Sequence, residues 1–325
     1  MKLLTIASSI LLSVTLTTGA GALDVDPHFP PYKPVRLDSA EIKSVGSDTL
    51  GDLMRNWAGD FSKLNPSVKI DVESKGSNTA PSALLDGSSQ LGPMSRPMRS
   101  EEYEPFEKKY GYHPVSFPVA VDALAVYVNK ENPIECLTID QLGEIFSKPY
   151  LFGITNITMW GSAGLTGDWA THPISLFGRN PASGTYDVFA EEVLRGRDFK
   201  GDVKQQPGSA EVVKMVAADK YAIGYSGIGY LTDAVRTVPL ATTPGECYDT
   251  SPASTYSGKY PLARYLYLYL NKAPDKALDP AILEFAKFIL SRDGQTETIK
   301  SGFYPITEPL RSKALQTLGL PSDSN

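Results

Sequence analysis

The amino-acid sequence predicts an α/β protein of two lobes, with a ligand cleft between them and two crossover strands that join them. Three observations lead to this fold class. The chain has 325 residues, which is long for a single core. Strand, hydroxyl-rich turn and helix alternate along it, and ligands of such sheets bind at the carboxyl ends of the strands. Two apolar strands, each followed by Asn-Lys and a proline-containing turn, bracket the middle of the chain.

The N-terminal segment 1–22 is expected to be a secretory signal peptide, with an uncleaved anchor as the alternative. Lys2 precedes a short apolar run, and small residues from Gly19 onward suit cleavage near Ala22. No cysteine follows these small residues, which argues against a lipid anchor. We therefore expect export to the periplasm, with secretion from the cell as a further destination.

The remaining elements follow from apolar periodicity and turn residues. A proline-rich stretch, residues 24–40, is expected to be an extended arm on the surface. Strands are predicted at 41–45, 68–72, within 90–98, at 119–128, 222–231 and 264–270, and helices at 50–64, from Pro81, near 210–218 and at 280–290. Lobe 1 is predicted to comprise residues 23–122 and 268–325, and lobe 2 to comprise residues 123–267.

Several function classes find no support in the sequence. The three histidines, His28, His113 and His172, are isolated, and no nucleophile motif, P-loop or zinc spacing occurs. The formal net charge of −6 at pH 7 argues against nucleic acid as a partner. We expect no enzymatic activity, no metal and no cofactor.

The two cysteines, Cys136 and Cys247, are candidates for a disulfide bond. This expectation depends on the pair count and on the oxidising compartment that export implies. Two unpaired buried thiols are the alternative.

An anion site is indicated by the segment "FGRNPASGT", residues 177–185. Arg179 supplies a planar fork suited to an oxyanion, and Ser183, Gly184 and Thr185 supply hydroxyls and amides at a helix start. A plain helix cap is the alternative for the last three residues. Similar hydroxyl-rich turns follow the strands of the first lobe at Ser47, Thr49, Ser77 and the pair Ser95-Arg96.

The chain resembles the periplasmic phosphate-binding proteins of Pst-type ABC importers over nearly its whole mature length. The segments that carry this resemblance are "VGSDTL" (45–50), "LGPMSRPM" (91–98), 117–130, "FGRNPASGT" (177–185) and "YPLARYLYLYLNK" (260–272). The resemblance implies a type II periplasmic-binding fold whose lobes close on dehydrated phosphate. Carried over from the family, the phosphate ligands fall on Thr49, Leu50, Ser77, Ser95, Arg179, Ser183, Gly184 and Thr185.

Two departures from the family pattern affect selectivity. Ser95 stands where the best-known members have an aspartate that accepts the proton of HPO₄²⁻, and Pro181 stands where they have an acidic residue. A carboxylate can accept the hydrogen of a protonated oxyanion but repels a fully ionised one. We therefore expect Asp48 to be the proton acceptor, with capping of the helix near Leu50 as the alternative.

The sequence thus predicts an exported, monomeric receptor that binds inorganic phosphate and delivers it to the membrane permease of an importer. The alternative hypotheses are a receptor for sulfate or molybdate, a secreted phosphatase-like enzyme and a surface adhesion protein. Asp122 is expected behind the site as a partner of Arg179 or Arg96, or else as a hydrogen-bonding residue of the crossover strand. The candidate ligand residues are Ser47, Asp48, Thr49, Leu50, Ser77, Ser95, Arg96, Arg179, Ser183, Gly184 and Thr185.

Overall fold

A computed structural model describes residues 23–149 and 156–321. The predicted signal peptide, residues 1–22, lies outside the described residues. None of the helices within those two ranges is long and apolar enough to span a bilayer.

The strands alternate with helices along the chain, as the sequence predicts. The strands are β1 (Ala40–Gly46), β2 (Val68–Ser74), β3 (Leu91–Met94), β4 (Val115–Asn129), β5 (Leu137–Thr138), β6 (Ser175–Arg179), β7 (Lys204–Gln206), β8 (Ala222–Gly227), β9 (Val235–Thr237), β10 (Leu240–Ala241) and β11 (Ala263–Leu270). The α-helices are α1 (Gly51–Leu64), α2 (Ala80–Asp86), α3 (Ser100–Tyr110), α4 (Ile139–Phe146), α5 (Gly184–Phe189), α6 (Ser209–Ala218), α7 (Pro252–Tyr256), α8 (Pro280–Ile289), α9 (Arg292–Lys300) and α10 (Glu308–Leu318). Short 3₁₀ turns cover Ser77–Thr79, Gly167–Thr171 and Ile228–Tyr230, and a π-helical turn, Ala190–Leu194, continues α5.

The main sheet has the strand order β2-β1-β3-β11-β4-β8-β6-β7, with β9 also paired to β4. Pairing is parallel within each end of the sheet, between β1 and its neighbours β2 and β3 and between β6 and its neighbours β7 and β8. The central pairs β3-β11, β11-β4 and β4-β8 are antiparallel. A separate small sheet joins β5 and β10.

The predicted crossover strands, β4 and β11, lie side by side at the centre of this order. Their pairing shifts register between Leu266 and Tyr267. Because β11 pairs with β3 and β4 pairs with β8, the two strands connect both ends of the sheet. The structure therefore has the central double connection that the sequence predicts.

One predicted strand ends earlier than expected. The sequence predicts a strand over residues 222–231, but β8 stops at Gly227 and a 3₁₀ turn follows. The reason is that the Ile228 amide donates to the Asp122 carboxylate at 2.9 Å and not to a strand neighbour.

Aromatic residues pack in the core on both sides of the crossover strands. Trp57 and Phe61 of α1 are fully buried, and the Phe61 ring contacts Phe285 of α8 with centroids 5.2 Å apart. On the other side, the Phe189 and Tyr225 rings stack at 3.8 Å. Such interlocked rings hold the strand ends, and the turns that follow them, in fixed positions.

The proline-rich arm is not only a surface segment, because part of it is buried in the main core and bonded to α9. Val25 and Phe29 are buried in the main core, and the Arg292 amide donates to the Pro30 carbonyl at 2.9 Å. Burial of these apolar side chains offsets the entropy lost on ordering the segment.

The cysteine prediction is confirmed, because Cys136 and Cys247 form a disulfide bond. The bond links residues 111 positions apart and ties the residue directly before β5 to the loop that follows β10.

Candidate anion-binding site

The hydroxyl-rich turns meet where the two ends of the sheet face each other. Ser47 and Thr49 follow β1, Ser77 follows β2, Ser95 follows β3, and Thr185 lies in the first turn of α5 after β6. All five side chains are buried. Buried hydroxyls must find hydrogen-bond partners, so they concentrate polar capacity at this point.

Direct contacts join these hydroxyls in two pairs, of which the pair Thr49–Thr185 connects the two ends of the sheet. The Thr49 and Thr185 Oγ1 atoms lie 2.8 Å apart, and the Ser77 and Ser95 Oγ atoms lie 3.1 Å apart. The Ser95 amide also donates to Ser77 Oγ at 3.0 Å. We call these four residues (Thr49, Ser77, Ser95 and Thr185) the hydroxyl cluster.

Gly184 permits this close approach. A Cβ atom at Gly184 would lie 2.6 Å from Ser77 Oγ and 2.7 Å from Ser95 Oγ, so any side chain would collide with the opposite turn. Nearby, the Asn78 amide donates to the Ala182 carbonyl at 3.1 Å and its side chain donates to the Pro181 carbonyl at 2.8 Å. The structure therefore has the two turns in a closed arrangement.

Two predicted ligand hydroxyls accept hydrogen bonds from backbone amides near helix starts, and Ser183 is the N-cap of α5. Ser183 Oγ accepts a hydrogen bond from the Thr185 amide at 3.1 Å, and Ser47 Oγ accepts one from the Leu50 amide at 3.3 Å. The alternative prediction for Ser183, a helix N-cap, is therefore confirmed. Ser47 orients the turn that carries Thr49 and the buried Leu50.

Arg179 is almost completely buried, with 1% of its surface exposed. Its Nη1 donates to Ser209 Oγ at 2.7 Å, and its Nη2 donates to the Pro207 carbonyl at 3.0 Å and lies 3.1 Å from Asp48 Oδ2. Burial lowers the pKa of the guanidinium, and the Asp48 carboxylate opposes this change. Arg179 Nε is buried and has no hydrogen-bond partner among the described residues. The terminal fork that the sequence assigns to an oxyanion is thus engaged by protein groups, while Nε remains as a donor.

Among the described residues the Asp48 side chain does not cap α1: its carboxylate bonds to no amide of that helix, and only the Asp48 backbone carbonyl accepts from the Gly51 amide, at 2.8 Å. Its carboxylate instead accepts from the Ser209 amide at 2.8 Å, at the start of α6. Asp48 thus caps a helix of the facing half of the sheet and pairs with Arg179, which ties the two halves together.

Arg96 is predicted as a ligand, but the structure gives it another role. All of its N–H groups are engaged: by Asp187 at 2.8 Å, by both Glu102 oxygens at 2.6 and 2.7 Å, by the Pro97 carbonyl and by Asn78. Arg99 lies 3.2 Å from the same Asp187 carboxylate. With no donor left for a ligand, Arg96 forms an ion-pair link between β3 and α5.

Sequence reasoning missed Arg264, the second residue of β11. The predicted partners of Asp122, Arg179 or Arg96, are wrong: Arg264 Nε donates to Asp122 Oδ2 at 2.8 Å. Arg264 Nη2 donates to Thr185 Oγ1 at 2.9 Å, and Nη1 donates to the Ser95 carbonyl at 3.2 Å. Arg264 lies directly opposite Asp122 in the pairing of β11 with β4, a register that the sequence alone does not give.

The sequence analysis also did not identify Tyr230 and Ser209 as residues that support the site. The Tyr230 hydroxyl donates to the Asp48 carbonyl at 2.9 Å and approaches the Thr49 carbonyl at 3.3 Å. Tyr230 therefore holds the turn after β1 from the opposite side. Within residues 23–149 and 156–321, no group of three or more potential metal ligands comes together.

Comparison with known proteins places this architecture in a family. A family model described as a PBP superfamily domain matches residues 32–293. The chain belongs to the PBP superfamily, and the two-lobed type II fold predicted from the sequence is confirmed.

The relatives include proteins named for phosphate. The chain is 47% identical over 311 residues to the phosphate-binding protein PstS of Pseudomonas aeruginosa, covering 94% of this chain and 96% of the relative. It is similar to a phosphate-bound structure from Clostridium perfringens assigned to the substrate-binding proteins of phosphate ABC transporters, with a TM-score of 0.70, 26% identity, and 82% and 100% coverage. An ABC-type phosphate transport receptor from Vibrio cholerae shares the fold, with a TM-score of 0.64, 21% identity, and 82% and 100% coverage.

Proposed function

We propose that this protein binds inorganic phosphate between its lobes and delivers it to the permease of an ABC importer. The observation that carries the proposal is the buried hydroxyl cluster, which joins two halves of the sheet, is contacted by the Arg264 guanidinium and includes Thr49, the residue after Asp48 of the Arg179–Asp48 pair. Relatives named phosphate-binding protein PstS and phosphate-bound neighbours support the same ligand.

The charges around the cluster explain how the site would hold an anion. Arg179 pairs with Asp48, and Arg264 pairs with Asp122, so each cation already has a carboxylate partner. A phosphate would therefore be held by hydroxyls, backbone amides and polarised N–H groups rather than by a surplus of positive charge. Within a water-poor site, each such charge-assisted hydrogen bond is strong.

The proposed ligand set keeps most of the residues that the sequence predicts. Thr49, Ser77 and Thr185 would donate their hydroxyls once the anion separates the pairs that now contact each other. Arg179 would contribute Nε, its unpaired buried donor. The other proposed contacts are Ser95, the Leu50 amide, the Ser183 turn and the Gly184 amide.

Asp48 is proposed as the group that distinguishes phosphate from sulfate. One carboxylate oxygen, Oδ2, is occupied by Arg179 and by the Ser209 amide. The remaining oxygen would accept the hydrogen of HPO₄²⁻, whereas sulfate has no hydrogen to offer and would meet repulsion. A receptor for sulfate or molybdate is therefore the less favoured alternative.

The remaining assignments are proposals of the same kind. The lobes would comprise residues 23–122 with 268–325 and residues 123–267, which meet at the Asp122–Arg264 pair. The chain would be exported after cleavage near Ala22, act as a monomer and carry out no covalent chemistry.

Calorimetric titration of the mature protein with phosphate, sulfate and arsenate tests the function. We expect tight, saturable binding of one phosphate, binding of arsenate, which has the same shape and can carry a proton, and weak or absent binding of sulfate. Sulfate binding as tight as phosphate binding would contradict the role of a proton acceptor. Absence of phosphate binding would contradict the proposed function itself.

A further inference from the structure

We propose that Arg264 is a second guanidinium ligand of the bound anion and that Asp122 orients it for this role. The inference rests on the proposed function, since it assigns a further residue to the same site. Arg264 lies on a crossover strand, whereas the predicted ligands lie in the turns of the two lobes.

The position of Arg264 relative to the hydroxyl cluster is the first argument. Its Nη2 donates to Thr185 Oγ1 at 2.9 Å, and that same oxygen lies 2.8 Å from Thr49 Oγ1. The guanidinium therefore reaches the point where the hydroxyls of both lobes meet. An anion that separates Thr49 from Thr185 would enter within hydrogen-bonding reach of Nη2.

The N–H donors of Arg179 and Arg264 differ in the groups that they contact. The two terminal nitrogens of Arg179 donate to Ser209 and Pro207 and pair with Asp48, on the α6 side of the site. Arg264 Nη2 likewise pairs with a carboxylate, that of Asp122, but it also donates to Thr185, and Nη1 donates to the Ser95 carbonyl, so both terminal nitrogens contact residues of the cluster. Arg264 contacts the hydroxyl cluster directly. An anion held by Arg179 alone would not use this nearby positive charge.

Asp122 explains how Arg264 is held. The carboxylate is fully buried; its Oδ1 accepts from the Ile228 amide at 2.9 Å and its Oδ2 accepts from Arg264 Nε at 2.8 Å. Arg264 Nη2 also lies 2.8 Å from Asp122 Oδ2, so the carboxylate holds two nitrogens of the guanidinium and fixes its plane, with Nη2 placed between Asp122 and Thr185. The anion would then be bound by a guanidinium whose orientation is already fixed.

Access is consistent with this role. Ser95 and Arg264 also border a cavity of about 940 Å³, whose other walls come from β11, from the π-helical turn after α5 and from α10. Arg264 thus contacts the hydroxyl cluster and also borders this open volume, whose lining includes the cations Arg96 and Arg99 and the carboxylates Glu191 and Glu192.

The alternative is that Arg264 only joins the crossover strands, and pH separates the two roles. Removing a ligand cation weakens binding of a dianion more than binding of a monoanion. Free phosphate is mainly HPO₄²⁻ at about pH 8 and mainly H₂PO₄⁻ at about pH 5.5, whereas a purely structural tie has no reason to distinguish these forms.

The experiment compares wild type, Arg264→Gln and Arg264→Lys by phosphate titration at about pH 8 and pH 5.5. We expect Arg264→Gln to weaken binding at least about thirtyfold at the higher pH and several-fold less at the lower pH, with partial recovery in Arg264→Lys. The matched control is Arg236→Gln, because Arg236 donates to the Asn132 carbonyl at 2.8 Å and touches none of the cluster. It should leave the ratio of the two affinities unchanged.

Unchanged affinity in Arg264→Gln, or equal losses at the two pH values, would overturn the inference. If wild type binds phosphate while either of these results is found, only the role of Arg264 fails; if wild type does not bind phosphate, the proposed function fails. Should Arg264→Gln not fold, NMR of the isotope-labelled arginine side chains in wild type decides. A shift of the Arg264 guanidinium signals on phosphate addition is expected, and its absence would reject the contact.

Discussion

Replacement of Gly184 by alanine should weaken phosphate binding without unfolding the protein. The new Cβ atom would lie 2.6 Å from Ser77 Oγ and 2.9 Å from Ser77 Cβ, across the junction of the two lobes. Carbon atoms normally pack at about 3.5–4.0 Å, so the two turns must separate by roughly 0.5–1 Å. Gly184 does not have a positive φ, so alanine adds no backbone strain there.

The size of the effect follows from the hydrogen bonds that such a gap would lengthen. A hydrogen bond to a charged group contributes about 1.5–3 kcal/mol. Losing one such bond therefore raises the phosphate Kd by roughly 10- to 150-fold, and losing a second raises it further. Calorimetric titration measures the Kd, and small-angle scattering shows whether the phosphate-bound form stays more open than wild type.

The matched control is Gly59→Ala, an exposed glycine of α1 with nothing within 4 Å of the added Cβ. It should raise the free energy of unfolding by up to about 1 kcal/mol, since alanine favours helix, and leave the Kd unchanged. A Gly184→Ala protein that binds phosphate as tightly as wild type would refute the closed geometry described above.

Three further predictions concern the surroundings of the site. Asp187→Asn should speed phosphate release about tenfold in stopped-flow measurements, because it breaks the buried bridge to Arg96; an unchanged rate would show that the bridge does not help to keep the lobes closed. Replacing both Cys136 and Cys247 by serine should lower the free energy of unfolding by about 2–5 kcal/mol and leave phosphate affinity intact, and chemical denaturation without a loss of stability would contradict this. Asp48→Asn should reduce the preference for phosphate over sulfate at least about tenfold in competition titrations; unchanged discrimination would limit Asp48 to holding Arg179 and α6.

The order of strands, turns and helices was predictable from the sequence, because each element has a local signal. Apolar periodicity marks α1, and two apolar runs mark the crossover strands. The hydroxyl-rich turns could be predicted to converge, since the carboxyl ends of parallel strands share one edge of a sheet. The contact of Ser77 with Ser95 agrees with that expectation, whereas the contact of Thr49 with Thr185 joins turns from opposite ends of the sheet and depends on how the two halves face each other.

The partners of the arginines were not predictable in the same way. A long side chain reaches groups far away in sequence, and which groups it meets depends on strand register and on the fit of the lobes. Arg264 and Asp122 are 142 positions apart, and only the pairing of β11 with β4 makes them neighbours. Likewise Arg96 follows a hydroxyl as a ligand would, yet Glu102 and Asp187 take up its donors.

A crystal structure of the mature protein grown with phosphate tests most directly whether the anion binds between the hydroxyls of the cluster. We predict one phosphate that separates Thr49 from Thr185 and Ser77 from Ser95, with oxygens about 2.7–3.1 Å from these hydroxyls. We also predict closed lobes around a ligand that is cut off from bulk water. Phosphate bound at another surface, or a cluster whose hydroxyls still contact each other directly in the saturated protein, would contradict this prediction.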